Sequence, residues 1–182
     1  MNHKYFQQFF WIMAIFLSSC NSQKLIQNVS EIPKNIDQKK INISTSNTTV
    51  SQNMNELEKS VFAGINKYRK SRNLPMLQWD GNIAQESRIH AQQMATRKTT
   101  FSHDGFKKRV EIISQKIPYK AAAENIAVNM GFSNPGEKAV IDWINSPGHH
   151  KNIVGDFNLT GIGIAKNNEG KYYFNQIFIK TR

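Results

Sequence analysis

The sequence predicts an α+β domain in which helices layer onto an antiparallel sheet. Two observations carry this. Apolar residues recur at helical spacing through the first two-thirds of the region after about Met54. Short β-rich runs then cluster toward the C-terminus, with a further run between two helices.

The first helix is read from Leu57, Val61, Ile65 and Tyr68, one face among Glu56, Glu58, Lys59, Lys67 and Arg69. Arg72-Asn73-Leu74-Pro75 ends it, because proline cannot continue a helix and restricts the residue before it. A second helix starts near Asp80 as N-cap, carries Ile83, Ser87, Ala91 and Met94 on one face, and closes at Lys98. A third runs from about Phe106 to Gln115, with Val110, Ile113 and Ile117 apolar. Pro135 opens a fourth, which carries Val140 and Trp143 and stops at Pro147-Gly148. Thr160–Ala165 alternates Gly with Ile, Asn167–Gly170 is a turn, and Lys171–Ile179 is rich in Tyr, Phe and Ile. Together they form an antiparallel hairpin. Gly161 and Gly163 leave one face of their strand bare for close approach by another backbone or a helix. Ala121–Met130 is a further strand.

The N-terminus predicts location. Residues 1–19 have a weakly basic start at Lys4, a mostly apolar run from Phe6 to Leu17 and a small-residue exit, the pattern of a secretory signal. The run is shorter than the roughly 20 apolar residues a membrane-spanning helix needs. Cys20 is the single cysteine, so an internal disulfide is excluded. Leu17-Ser18-Ser19-Cys20 resembles the lipobox of bacterial lipoproteins. That resemblance implies a thioether-linked diacylglycerol on Cys20, cleavage before it and a lipid anchor in the bacterial cell envelope, at the outer membrane or cell surface. Residues 20–53, the lipidated cysteine and a Ser/Thr/Asn-rich stretch, read as a flexible tether, since such a composition buries too little apolar surface to order itself. Residues 54–182 are long enough for one domain with a core.

Three segments supply chemistry: Phe101-Ser102-His103-Asp104, Ala123-Glu124-Asn125-Ile126 and Trp143-Ile144-Asn145-Ser146-Pro147-Gly148-His149-His150-Lys151-Asn152-Ile153. Imidazoles and a carboxylate from separate segments are the materials of a divalent metal site or an acid–base pair. In this order, ahead of a Gly-Ile-Gly strand, they resemble the CAP (SCP-like) superfamily of cysteine-rich secretory proteins, venom antigens and plant pathogenesis-related proteins. The likeness is to its compact bacterial branch without disulfides, and it spans roughly Asn55 to Lys180. It implies an α–β–α sandwich with a central antiparallel sheet flanked by helices, and a cleft of two histidines and two acids. His103, Glu124 and His149 match three of the four positions. Ser146 stands where the second acid would be, and Asp142, one turn earlier, replaces it poorly.

The resemblance leaves the cleft's role open. One reading is a binding or interaction module for an anionic host macromolecule or a small lipid-like, apolar ligand. Another is a hydrolase of peptide or envelope polymer dependent on a divalent metal such as zinc, with His103 and His149 as ligands and Glu124 as the catalytic residue that orients or deprotonates the metal-bound water. A third is a purely structural His103–Glu124 bond. No compact metal signature such as H-E-x-x-H occurs, and the balance leans away from an enzyme. His90 reads as a core histidine, His150 as exposed, and Trp79 and Trp143 as core or cleft-wall aromatics. Ser102 and Ser146 lie outside any G-x-S-x-G elbow. Residues 54–182 hold 19 Lys/Arg against 11 Asp/Glu, a net +8. The runs Lys67/Arg69/Lys70/Arg72 and Lys107/Lys108/Arg109 read as solvated faces able to meet anionic partners. No nucleic-acid recognition motif is present, so nucleic acid is not expected as a partner. A monomer is expected.

Overall fold

The computed structural model describes the backbone of residues 38–182 and the side chains of residues 52–182. The chain divides at Ile41/Asn42, and the domain lies in the second unit, 42–182. The proposed leader and Cys20 lie outside the described residues.

Helix α1 spans Gln38–Ser71. Residues 38–53 are therefore helical where composition predicts a tether. Polar composition limits burial, but a helix nucleated by the packed residues Val61 and Ile65 propagates through polar residues at little cost per residue. Helix α2 (Gly81–Ala95) starts where expected: Asp80 Oδ1 accepts the Asn82 and Ile83 amides at 2.8 and 3.1 Å. It ends at Ala95, short of Lys98, because Arg97 turns left-handed at φ 59°. Helix α3 is Phe106–Ser114. Helix α4 (Pro135–Asn145) carries Asn134 as N-cap and Pro135 in its first turn. Proline at 147 ends nothing further. It opens α5 (Pro147–Ile153), after Ser146 breaks the helical path in an extended conformation.

Four strands form one sheet: β1 (Gln78–Trp79), β2 (Tyr119–Asn129), β3 (Leu159–Lys166) and β4 (Tyr172–Thr181), in the order β1-β3-β4-β2. β2 and β3 both run antiparallel to β4, as the hairpin predicts. The two-residue β1 pairs parallel to β3, so the sheet is mixed where the sequence predicts a wholly antiparallel one. β1 is too short to show an alternation in the sequence.

The strand period of two separates two cores. Ile162, Ile164, Phe174 and Phe178 face Val61, Ile65, Ala139, Trp143 and Ile153, the apolar stripes of α1, α4 and α5. Ile177 and Ile179 face Ile83 of α2 and Ile113 of α3. The result is an α+β domain with helices on both faces of the sheet. α2 lies directly on β3: a Cβ on Gly161 would sit 2.1 Å from Ala84 N, and one on Gly163 2.0 Å from Arg88 N. The bare face read from the Gly-Ile-Gly pattern is thus the seat of α2.

Candidate functional site

β2 is an outer strand, and Glu124 sits on it with its side chain 1% exposed. A buried carboxylate must find partners or lose its charge. Glu124 finds three contacts from Arg109 of α3: Nε at 3.0 Å and Nη2 at 2.7 Å to Oε1, and Nη2 at 2.9 Å to Oε2. Its Oε2 also accepts the Nδ1–H of His103 at 2.8 Å. That bond fixes the tautomer: a carboxylate only accepts, so Nδ1 carries the proton and Nε2 of the half-exposed His103 ring is free. Arg109 Nη1 also donates to Asp104 O at 2.9 Å, tying down the loop that carries His103.

His90 holds the same loop from behind. Its Nε2–H donates to Ser102 O at 3.0 Å, and the residue is 1% exposed. It is a core histidine as expected, but only half satisfied, since Nδ1 has no partner. Burial first, then the neighbouring Arg109 charge, hold its pKa below the usual histidine value. Ser102 Oγ accepts from Thr100 Oγ1 and the Asp104 amide, so it works as a turn-former.

α5 crosses the outer edge of β2. Asn152 Nδ2 donates to Glu124 O at 3.2 Å and to Asn125 Oδ1 at 2.8 Å, while Asn125 Nδ2 donates to His149 O at 3.2 Å. These bonds bring the Pro-Gly-His turn beside the Ala-Glu-Asn strand. His149 Nδ1 pairs with Ser146 Oγ at 2.9 Å, across one helical turn. Burial, then the charge of His103, depress its pKa, so the two rings share one electrostatic neighbourhood. His149 bonds to neither His103 nor Glu124. Among the described residues, no three His, Cys, Asp or Glu side chains converge as a metal-holding group. Glu124, the carboxylate bonded to the His103 ring, is also held by Arg109. Asp142 is held by Lys138 at 2.5 Å on the outer surface of α4 and does not replace the missing acid.

Other residues depart from their sequence reading. His150 is half-buried, and its Nε2 shares a 2.9 Å hydrogen bond with Tyr68 Oη. Arg69 and Arg109 leave the basic runs for the interior. Arg69 is 2% exposed and clamps the loop after α5 by donating to Ile153 O, Gly155 O and Phe157 O, as well as to Pro75 O. The signal for both was present in the periodicity. Arg69 continues the stripe Val61–Ile65, and Arg109 falls on Phe106–Val110–Ile113; a charge on a core stripe is one the fold intends to pair. Glu58 follows the same rule, 1% exposed and bonded to Arg88 at 2.9 and 3.0 Å. Trp143 is buried, its indole N–H donating to Ile126 O at 2.9 Å, while Trp79 packs edge-on against Phe62.

The pattern of the cysteine-rich secretory protein (CAP) family matches residues 62–178. The chain belongs to the CAP family. It is 34% identical over 139 residues to the uncharacterized protein YkwD of Bacillus subtilis, covering 74% of this chain and 52% of YkwD. It is 31% identical over 129 residues to the uncharacterized membrane protein YlbC of the same bacterium, covering 68% of this chain and 34% of YlbC. This CAP chain thus spans about half of one relative and a third of the other. An extracellular SCP-domain protein of Bacillus anthracis superposes with a TM-score of 0.59 at 28% identity, over 70% of this chain and 41% of that one. An outer surface protein of Borrelia burgdorferi shares the fold with a TM-score of 0.60 at 22% identity, over 70% and 94% of the two chains. CAP neighbours of this chain are thus outer-surface or extracellular proteins, and one relative is named as a membrane protein.

Proposed function

We propose that this CAP protein is a lipid-anchored envelope protein whose domain binds a small lipid-like ligand. The observation that supports this is a groove of about 480 Å³ between α1 and α4. Tyr68, Val140, Ile141 and Ile144 supply its apolar wall, and Lys67, Ser71, Asn134 and Glu137 its polar fringe. Apolar lining with a few polar groups suits a molecule that buries a chain and keeps a head in water. Gly64 opens the groove, its missing side chain leaving α1 close to Val140.

The hydrolase reading loses support at Glu124. Both oxygens of this carboxylate already accept hydrogen bonds from Arg109 or His103, which weakens it as a base for metal-bound water. Orienting the His103 ring is the part of that reading the geometry still allows. The cluster works instead as a lock between α3, β2 and the His103 loop.

The test is titration of the full chain with a dansyl-labelled medium-chain fatty acid. Ile141→Glu/Ile144→Glu should weaken binding at least about tenfold, a loss of roughly 1.4 kcal/mol, while His103→Ala/His149→Ala should bind like the wild type. Binding that ignores the groove substitutions, or that vanishes with the histidines, overturns the assignment. For the anchor, Cys20→Ser should move the protein from the membrane fraction to the soluble fraction; retention in the membrane refutes lipidation.

A further inference from the structure

We propose that the loop joining β2 to α4 is a membrane-contact tip that inserts into the interfacial region of an anionic bilayer, beside the mouth of the groove. The role assigned to it, loading the groove from the bilayer, rests on the binding function proposed above.

The exposed large apolar side chains are not scattered evenly. Val128, Met130 and Phe132 are 41%, 53% and 47% exposed within five residues, and Ile141 on α4 is 46% exposed. Hydrophobic side chains held in water at a loop tip carry a standing cost that a binding event recovers. The tip is held rigidly. Asn129 Nδ2 donates to Pro135 O at 2.9 Å across the base of the loop, Asn134 Oδ1 caps α4 by accepting the Glu137 amide at 3.2 Å, and Gly131 makes the turn at φ 83°. A preorganised wedge loses little conformational entropy on insertion.

Three features favour a bilayer over a protein partner. A few side chains on a narrow tip bury a few hundred Å², well below the roughly 1,000 Å² expected of a specific protein interface. A bilayer takes such a wedge without matching its shape. The Lys138 ammonium lies 5.1 Å from the centre of the Phe132 ring and is bonded to Asp142 at 2.5 Å, so it braces the ring as a cation–π partner and carries little net charge of its own. The net +8 of residues 54–182 adds attraction toward an anionic surface. The tip also adjoins the groove, since Asn134 and Ile141 both line it. A chain leaving the bilayer at the tip would reach the groove without crossing bulk water.

The experiment uses the full chain with Cys20→Ser and Phe132→Cys, labelled at position 132 with an environment-sensitive fluorophore. A second preparation carries Cys20→Ser and Asn168→Cys, labelled on the β3–β4 turn. Each is mixed with phosphatidylcholine/phosphatidylglycerol vesicles bearing nitroxides on the acyl chains. The expected result is a blue shift and quenching at 132 but not at 168, lost in pure phosphatidylcholine or high salt. In an unlabelled chain, Met130→Ser/Phe132→Ser should slow fatty-acid transfer from vesicles about tenfold, leaving the affinity for fatty acid delivered from solution unchanged. Equal quenching at both positions means attachment through the N-terminus alone and overturns the proposal. So does a blue shift that grows with protein concentration without vesicles, which marks self-association. A groove that binds no fatty acid while position 132 is still quenched removes the loading role and the function above, and keeps the membrane contact. No quenching with an intact groove does the reverse.

Discussion

Replacing Arg109 with Met tests the reading of the cluster most directly. The side chains of Arg109 and Glu124 are 9% and 1% exposed. The guanidinium makes three contacts of 2.7–3.0 Å to the carboxylate and a fourth to Asp104 O. Methionine keeps the apolar bulk on α3 but leaves a desolvated carboxylate with His103 as its remaining side-chain donor. Removing one partner of a buried pair costs about 3–5 kcal/mol, because the other charge stays uncompensated. For a domain of this size each kcal/mol moves Tm by roughly 3–5 °C, so a fall of about 10–20 °C is expected. The decisive measurement is a double-mutant cycle by chemical denaturation at neutral pH. Arg109→Met/Glu124→Gln should be more stable than Arg109→Met, since removing the stranded charge removes most of the penalty. A loss below about 1 kcal/mol for Arg109→Met, or strict additivity in the cycle, would refute the claim that this pair locks α3 to β2.

Three further outcomes follow from the same geometry. Gly163→Ala should lose more than about 3 kcal/mol or fail to accumulate as folded protein, because its Cβ would meet the α2 backbone; Gly131→Ala, strained only by its positive φ with nothing nearby, should lose about 1 kcal/mol by the same denaturation assay. His90 and His149 both have folded-state pKa values lowered by burial, so the unfolded chain binds more protons below about pH 6.5. Their contribution is complete above that value and is lost as pH falls. Stability should drop between about pH 7.5 and pH 5, and His90→Gln, which can still donate to Ser102 O, should show a shallower drop; an unchanged slope would show that His90 has no part in it. Excess zinc should leave Tm within about 1 °C; a rise of several degrees that His103→Ala abolishes would restore the metal reading.

Where a local rule decided the outcome, the sequence was a good guide. Asp80 caps α2, Pro135 opens α4, Asn167 Oδ1 closes the β3–β4 turn by accepting the Glu169 and Lys171 amides, and Gly161 and Gly163 face a helix. Each depends on neighbours within a few residues or on a side chain that is missing. The errors have a different origin. Pro147 read as a stop because a proline ends one helix and starts another by the same fixed φ; only the extended backbone of Ser146 shows which. β1 is two residues long and exists because β3 offers its edge. Arg109 read as part of a basic surface run because charge patterning in the sequence ignores the stripe a residue occupies.

The sequence by itself determined the family, the starts of α2, α3 and α4 and the residues that gather at the outer strand, because those follow from local chemistry and an ordered set of motifs. Only the tertiary structure decided how the gathered residues are bonded. Glu124 becomes the centre of an ion-paired lock once Arg109 reaches it. That contact joins α3 to β2 across 15 residues of chain, and its existence is fixed by the packing of two helices on a sheet.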